Sequence, residues 1–574
     1  MRTSIGVFLF LILFLPVSAL SYTHSTSLIQ WHEYSDGAFA IAKKENKPVF
    51  MLITAIWCHW CNVYEEKSLA DKDMAGYINK NFIPIFVDYD KRKDISKQYP
   101  ATGLPVTVIL SPKGERLATV AGYIPKERLL QNLKTTVWSF KSGDMQPQAV
   151  TEKETEKRST GEATRFSIRE LKKIISGFKE IVLSNYDPQY GGFGKSQKIP
   201  YADVLEVLLY LYEDEKDKKW LDIVANSLDH MAGLKQKGGD KKPDSAFLLG
   251  LYKNREGKDW VDRVVELQKM YKISGIYDKI DGGFFRYATE RDWSRPHFEK
   301  LLSDNADFIR LYLNAYRITK NDKYKMVAEG SLNYVLKTLY NEKENRFYNS
   351  QRSDIVYYYL SEKDRKAVGS PDVDRTAFAI SQSKMIITLL HAAGLSAFTS
   401  PPLVKGGEER LLVKGDERGL SDGRYKEIAL LSLQFIQKNI LTEKGVLSYY
   451  DPSKKEKGLT GQLEENLWAI LAFKEAYLYT KDKNYLNTAE TLAQFVVINL
   501  YDKKQGGFYE FSSKGERPYL LNGLAAYTML ELYKLTNKAE YLKTAKETIG
   551  IFPPDKNKPS SPYFVRGAMY LIQE

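Results

Sequence analysis

Val49-Phe50-Met51-Leu52-Ile53-Thr54-Ala55-Ile56-Trp57-Cys58-His59-Trp60-Cys61 opens as an almost unbroken apolar run and ends on two cysteines two residues apart. Introduced by Lys47-Pro48, the run reads as a buried strand. The thiols then stand where a strand passes into a helix, and the unpaired N–H groups of a helix N-terminus stabilise a thiolate. A thiolate attacks a disulfide, and a second thiol releases the mixed disulfide. These are the 2 cysteines of a 574-residue chain. A bridge over two intervening residues constrains little of the unfolded chain, which makes it a weak staple. A c-type haem needs histidine after the second cysteine, where Asn62 stands, and a zinc site wants a second ligand pair. Redox chemistry is therefore expected, with Cys58 as nucleophile and Cys61 resolving, no cofactor and no metal. The bland alternative is a relic or structural dithiol.

Outward from this stretch, Phe82–Asp88 reads as another strand, followed by a polar helical turn near Asp94–Tyr99 and by Gly103-Leu104-Pro105. Val106–Leu110 and Arg116–Ala121 flank Ser111-Pro112-Lys113-Gly114, a hairpin signal. A helix from Pro125 to about Phe140 opens with proline at its first turn. This order resembles the thioredoxin fold over residues 45–140. The resemblance implies that Pro105 is cis and that Leu104 and Pro105 shape the groove that receives a protein dithiol or disulfide partner. An X-Pro bond is the one kind whose cis form costs little. Trp57, His59 and Trp60 are the expected surround of the dithiol. Two departures from the family stand out: Leu52 replaces a buried aspartate six residues before Cys58, and His59-Trp60 replaces Gly-Pro. A neighbouring imidazolium favours the Cys58 thiolate, so a pair less reducing than thioredoxin is expected. Glu65, one helical turn after Cys61, is a candidate proton carrier, although an exposed helix carboxylate is the commoner explanation.

Arg2, the apolar stretch Ile5–Leu15 and Val17-Ser18-Ala19 have the layout of a signal peptide over residues 1–20. Export to the periplasm or medium is expected, with no stable membrane span after cleavage. Hydrophobic content of 43% and charged content of 27% fit a soluble protein of two or more domains. The net charge of +12 is thinly spread, and no basic helix interleaved with aromatics points to nucleic acid.

Residues 21–140 form the expected α/β thioredoxin-like domain, and 141–164 a polar linker. From 165 to 574 the pattern is helical, with helices closing in about six antiparallel pairs. A repeat sits in the loops: Tyr186-Asp187 before Gly191-Gly192-Phe193, Tyr277-Asp278 before Gly282-Gly283-Phe284, and Tyr501-Asp502 before Gly506-Gly507-Phe508. Tyr340-Asn341 before Asn345-Arg346-Phe347 is a relaxed copy and Tyr450-Asp451 a worn one. A reused turn device explains most copies. Residues 396–422 read as an inserted loop carrying a nine-residue duplication, Leu403–Leu411 and Leu412–Leu420.

Six helix pairs with such loops suggest an all-α (α/α)6 toroid, the architecture of six-hairpin glycosidases and N-acylglucosamine 2-epimerases. Gly275–Ala306 concentrates polar types before a helix, and Trp293, His297, Glu299, Asp304 and Asn305 are its candidate ligand residues. Aromatic faces stack on sugar rings, while carboxylates and imidazole bond hydroxyls or move protons. WCHWC, Gly191–Pro200, GIYDxxxGGFxRY and PHFEK together resemble the spermatogenesis-associated thioredoxin-like family, which fuses a thioredoxin fold to such a toroid. Asn62, Ser303 and Gln382-Ser383 depart from its pattern. The leading expectation is an exported thiol–disulfide oxidoreductase whose toroid recognises a substrate, a carbohydrate or glycoprotein. The rivals are a carbohydrate-active toroid enzyme, isomerase or hydrolase, with an auxiliary dithiol, and a non-catalytic binding protein.

Overall fold

The computed structural model describes residues 27–147, 167–235, 243–255, 259–395, 422–511, 516–552 and 561–574. The expected signal segment, most of the linker and the duplicated insert lie outside the described residues. The chain divides into two units, Met1–Thr155 and Glu156–Glu574.

In the first unit the elements run β1 (His32–Glu33), α1 (Asp36–Glu45), β2 (Val49–Thr54), α2 (His59–Tyr64), α3 (Lys72–Asn81), β3 (Ile83–Asp88), α4 (Lys93–Ser96), β4 (Val106–Leu110), β5 (Arg116–Ala121) and α5 (Lys126–Ser142). They build one sheet in the order β1-β3-β2-β4-β5. β1, β3 and β2 are parallel, while β4 and β5 run antiparallel. Successive side chains of a strand point to opposite faces. Phe50 and Leu52 therefore join Tyr64, Met74, Ile78, Leu129 and Leu133 on one side. Val49, Met51 and Ile53 meet Ala38, Ala42 and Ile95 on the other. Two cores flanking one sheet explain why β2 is apolar without alternation, and each fully buried large side chain contributes about 1.5–3 kcal/mol. α5 starts one residue later than its proline suggested: Pro125 is the extended N-cap.

The second unit is helical: α6 (Ile168–Asn185), α7 (Ala202–Glu215), α8 (Lys218–Met231), α9 (Ser245–Lys253), α10 (Trp260–Met270), α11 (Leu302–Thr319), α12 (Asp322–Tyr334), α13 (Ile355–Tyr359), α14 (Glu362–Val368), α15 (Ala379–Ala393), α16 (Asp422–Asn439), α17 (Leu463–Thr480), α18 (Lys483–Asn499), α19 (Tyr519–Thr536), α20 (Ala539–Gly550) and α21 (Pro562–Gln573). Packing runs α7–α11–α15–α17–α19–α21 and returns from α21 to α7, which closes a ring. α8, α12, α16, α18, α20 and α6 each back one ring helix from outside. This is the expected (α/α)6 toroid. Ring helices such as α15 and α17 are buried on nearly every side, as helices packed both inward and outward must be.

α21 lies beyond the last helix read from the sequence, although it completes the ring. Gly567 interrupts its pattern for a reason: a Cβ there would come within 3.3 Å of Ile549 Cδ1 and 3.4 Å of Leu530 Cδ1. α11 begins at Leu302, so Glu299 precedes the helix while Asp304 and Asn305 lie inside it.

The repeat loops enter the ring helices. Tyr186, Tyr277 and Tyr501 bridge to Phe193, Phe284 and Phe508, and Tyr340 pairs with Phe347. The motif acid caps each turn: Asp187 accepts from Gln189 N at 3.1 Å, Asp278 from Ile280 N at 3.0 Å and Asp502 from Lys504 N at 3.0 Å. The remaining spatial copy is Leu441–Val446, whose ends pair in the same way, rather than Tyr450-Asp451. Leucine and valine replace the tyrosine and phenylalanine there, which hides it in the sequence. Both motif glycines have positive φ in the first copy (64° and 65°), and a Cβ on Gly191 would lie 2.8 Å from Asn226 O and from Ser227 Cα. Gly191→Ala is expected to cost about 2 kcal/mol or more through left-handed strain plus backbone displacement, read as a lowered denaturation midpoint with an unchanged m-value.

Candidate functional site

Cys58 and Cys61 form a disulfide. Cys58 is the N-cap of α2, and its Sγ accepts Cys61 N–H at 3.2 Å. Cys58 keeps 6% exposure and Cys61 none, so the first cysteine is the less sheltered of the two. Asn62, one turn beyond Cys58, donates to Cys58 O at 2.7 Å and Ile56 O at 3.3 Å, and so ties down the strand-to-helix turn. Trp57 is buried and donates Nε1–H to Asp90 Oδ2 at 2.7 Å. His59 and Trp60 are half-buried, ring edge against ring at 5.1 Å, and Trp60 leans on Tyr123 at 6.0 Å.

The Leu104–Pro105 peptide is cis. Ile53 pairs with Val106, so this peptide lies just past the end of the ladder, at the edge of the sheet where β2 runs out toward Trp57 and Cys58. Leu104 is partly exposed and Pro105 buried.

Glu65 is not an exposed helix carboxylate. It is buried at 7% exposure, and Thr54 Oγ1 donates to its Oε1 at 3.2 Å. Thr54 has the same parity as Phe50 and Leu52 and faces the same side of the sheet. The apolar Leu52 position and the buried carboxylate of Glu65 thus share one side of the sheet.

Of the toroid residues singled out above, the structure groups three and removes two. His297 Nδ1 lies 3.4 Å from Glu299 Oε1, and its ring stacks on Tyr287 at 4.3 Å. Arg286 reaches Glu299 at 3.9 Å. Burial would raise the Glu299 carboxyl, but His297 and Arg286 hold it below the usual range. Burial pushes Asp304 up to about 6 against the pull of the same Arg286 and of Lys384. Trp293 offers no open face: it is 1% exposed, donates to Tyr190 O at 2.8 Å, and covers Gly192, where a Cβ would sit 2.7 Å from its ring. Asn305 is fully buried and saturated, accepting Phe284 N–H at 2.7 Å and donating to Phe284 O and Leu301 O. Gln382 and Asn522 clasp Phe347 and Phe508 in the same manner, while Asn466 accepts Val446 N–H at 3.2 Å and donates to Gln462 O. These amides lock loop to helix and are architectural.

Lys198 and Lys300, within two of the sequence motifs, are fully buried too. Lys198 Nζ bonds Asp187 at 2.9 Å and Gly194 O at 2.8 Å. Lys300 Nζ bonds Asp278 at 2.8 Å and Gly282 O at 2.7 Å. Each lysine clamps one repeat loop.

Residues 14–149 match the family Thioredox_DsbH, described as "Protein of unknown function, DUF255". The chain carries a DsbH-type thioredoxin domain. It is similar to spermatogenesis-associated protein 20 of Mus musculus, 27% identical over 348 residues covering 58% of this chain and 39% of that protein. It is also similar to protein B0495.5 of Caenorhabditis elegans, 25% identical over 580 residues covering 91% of this chain and 71% of that one. The disulfide bond reductase DsbH of Chlamydia pneumoniae is 25% identical over 109 residues, covering 17% of this chain and 64% of that protein. The chain thus spans about two fifths of the length of the first of these relatives. Among solved structures, cellobiose 2-epimerase of Spirochaeta thermophila has a TM-score of 0.48 at 12% identity, covering 66% of this chain and 83% of that one.

Within the DsbH-type domain, sequence reading passed over Thr54, Asn62 and Asp90 as partners of the site. Asn62 had a signal, since a polar residue four after Cys58 on a helix faces the same side. In the toroid it passed over Arg286, Asp307 and Lys384. Polar residues inside otherwise apolar ring helices were the signal for Asp307 and Lys384, whereas Arg286 lies in the loop before α11. Among the described residues no helix is long and apolar enough to cross a membrane.

Proposed function

We propose that this protein is an exported thiol–disulfide oxidoreductase acting on protein substrates, and that its toroid recognises a carbohydrate or glycoprotein. The observation that carries the redox reading is the Cys58–Cys61 disulfide at a helix N-terminus, at the sheet end shared with cis Leu104–Pro105. Reduction of the pair exposes the Cys58 thiolate to a partner disulfide. Attack forms a Cys58–partner disulfide and expels one partner thiolate. Cys61 then attacks Cys58 Sγ, frees the second partner thiol and regenerates the bridge. The similarity to the disulfide bond reductase DsbH of Chlamydia pneumoniae supports the reducing direction. The chain's Arg2, Ile5–Leu15 and Val17-Ser18-Ala19 support export. Insulin reduction by the full chain with dithiothreitol tests the reading: acceleration over dithiothreitol alone supports it, and an unaccelerated rate refutes it.

Glu65 has a defined part in this reaction. Cys61 is buried, and its thiol must lose a proton before it can resolve the mixed disulfide. Glu65 follows Cys61 by one helical turn, buried and hydrogen-bonded by Thr54, and serves as the acceptor that Leu52 cannot be. Glu65→Gln is expected to slow the resolving step about 10²-fold near neutral pH, with the deficit shrinking as pH rises and hydroxide replaces the base. Stopped-flow measurement of mixed-disulfide decay across pH checks this; a wild-type pH profile in the variant would remove Glu65 from the mechanism.

A further inference from the structure

β2 ends on Thr54, a hydroxyl at the close of an otherwise apolar strand. The residue is fully buried, and its Oγ1 donates to Glu65 Oε1 at 3.2 Å. The donor is held firmly. Thr54 lies opposite Asp88 in the parallel pair of β2 and β3, and Thr54 O accepts Tyr89 N–H at 2.7 Å. Branching at Cβ restricts its χ1 as well. The hydroxyl thus belongs to the sheet and not to a loop.

Glu65 is fixed from its own side too. It ends α2 with helical backbone and opens a π turn over Glu65–Leu69, closed by Ala70 N–H on Glu65 O at 2.9 Å. Within that turn Ser68 Oγ donates to Ile124 O at 2.7 Å, which pins it to the segment after β5. Single π turns are rare and recur at functional sites. Four residues separate Cys61 from Glu65, so the two share one face of the helix.

Burial of a carboxylate without a donor favours its protonated form, and a protonated carboxyl cannot take the Cys61 proton. A hydrogen bond donated to the charged form opposes that. Leu52, on the same side of the sheet, has no donor to give, and Asn62 directs its amide to Cys58 O and Ile56 O. Thr54 supplies one.

We propose that Thr54 is the positioning residue of the resolving step: its hydroxyl keeps Glu65 ionised and holds the carboxylate in place for the Cys61 thiol. This rests on the reading of Glu65 as proton acceptor. In that step the Cys61 S–H bond breaks and its proton passes to the Glu65 carboxylate. The Cys61 sulfur bonds Cys58 Sγ as the Cys58–partner S–S bond breaks, and the electron pair of that bond leaves on the partner thiolate.

The test is stopped-flow with the reduced full chain and a chromogenic aromatic disulfide, which releases one coloured thiolate on attack by Cys58 and a second on resolution by Cys61. Thr54→Val removes the hydroxyl at nearly unchanged shape. It is expected to slow the second release about tenfold near neutral pH and to displace the pH profile of that step to higher pH. Thr54→Ser keeps a hydroxyl and is expected to stay within about threefold of wild type. In the Glu65→Gln background Thr54→Val is expected to add no further slowing, because the two residues act as one unit. A wild-type rate and profile in Thr54→Val, with Glu65→Gln slow, overturns the proposal. Equal slowing in Thr54→Val and Thr54→Ser, or full additivity with Glu65→Gln, overturns it too, since a packing defect behaves that way. A wild-type profile in Glu65→Gln removes the Glu65 reading itself, and this proposal with it.

Discussion

Cys58→Ser is expected to reduce thiol–disulfide exchange to background, a loss on the order of 10³-fold or more. Cys61→Ser is expected to fail differently, halting with substrate covalently attached. The asymmetry follows from position. Cys58 caps α2 and keeps a little exposure, whereas Cys61 lies inside the helix with none. A partner disulfide is therefore expected to meet Cys58 first, and Cys61 only once it is attached. Non-reducing electrophoresis after incubation with scrambled ribonuclease shows the difference. A partner adduct in Cys61→Ser and none in Cys58→Ser is the expected pattern; adducts through Cys61 would reverse the assignment.

The second large effect lies in the toroid. Asp278 is buried among two cations, Lys300 at 2.8 Å and Arg365 at 2.9 Å. Burial would raise its carboxyl, but the charges of Arg365 and Lys300 outweigh that and hold it at about 2. Asp278→Ala leaves Lys300 buried without its anion, leaves Arg365 with Asp281 at 2.7 Å as its anion, and opens the loop that Asp278 caps. A loss of about 3–5 kcal/mol is expected, seen as a lower denaturation midpoint of the full chain. The pH dependence has a definite sign. A carboxyl depressed in the folded state contributes stability that is complete above its unfolded value near 4. That stability is lost as pH falls toward about 2. Wild type and Asp278→Ala should therefore converge in stability over that acid window. A gap unchanged down to pH 2 would mean that Asp278 acts through packing alone.

Much of the fold could be read from residues because short patterns carry it. An apolar run closed by a CxxC, then Gly103-Leu104-Pro105 and a hairpin, leaves little freedom in the first unit. The Tyr–Asp–Gly–Gly–Phe loops announce the toroid through offsets alone, and the structure shows why: Asx turns, positive φ and a clasping amide need those residue types. The copy at Leu441–Val446 escaped because its pairing survives without the aromatics. α21 escaped because Gly567 blunts its periodicity for the sake of a close helix contact.

The sites were less legible, for two physical reasons. Trp293 and Asn305 carry side chains that could hold a ligand, and sequence does not show that Tyr190, Gly192 and Phe284 already occupy them. Ring helices meet across long stretches of chain: Lys384 bonds Asp307 at 2.6 Å from 77 residues away, so the pair has no common signal in the sequence. For Glu65 the missing fact is its burial beside Thr54, which its place in the sequence does not show.

The reduction potential of the Cys58–Cys61 pair, measured in the full chain against a glutathione or dithiothreitol series, tests the working-dithiol reading most directly. The position of Cys58 at a helix N-terminus and the adjacent His59 predict a value above thioredoxin's, between about −270 and −120 mV. A value below about −300 mV, the range of structural disulfides in secreted proteins, would contradict it.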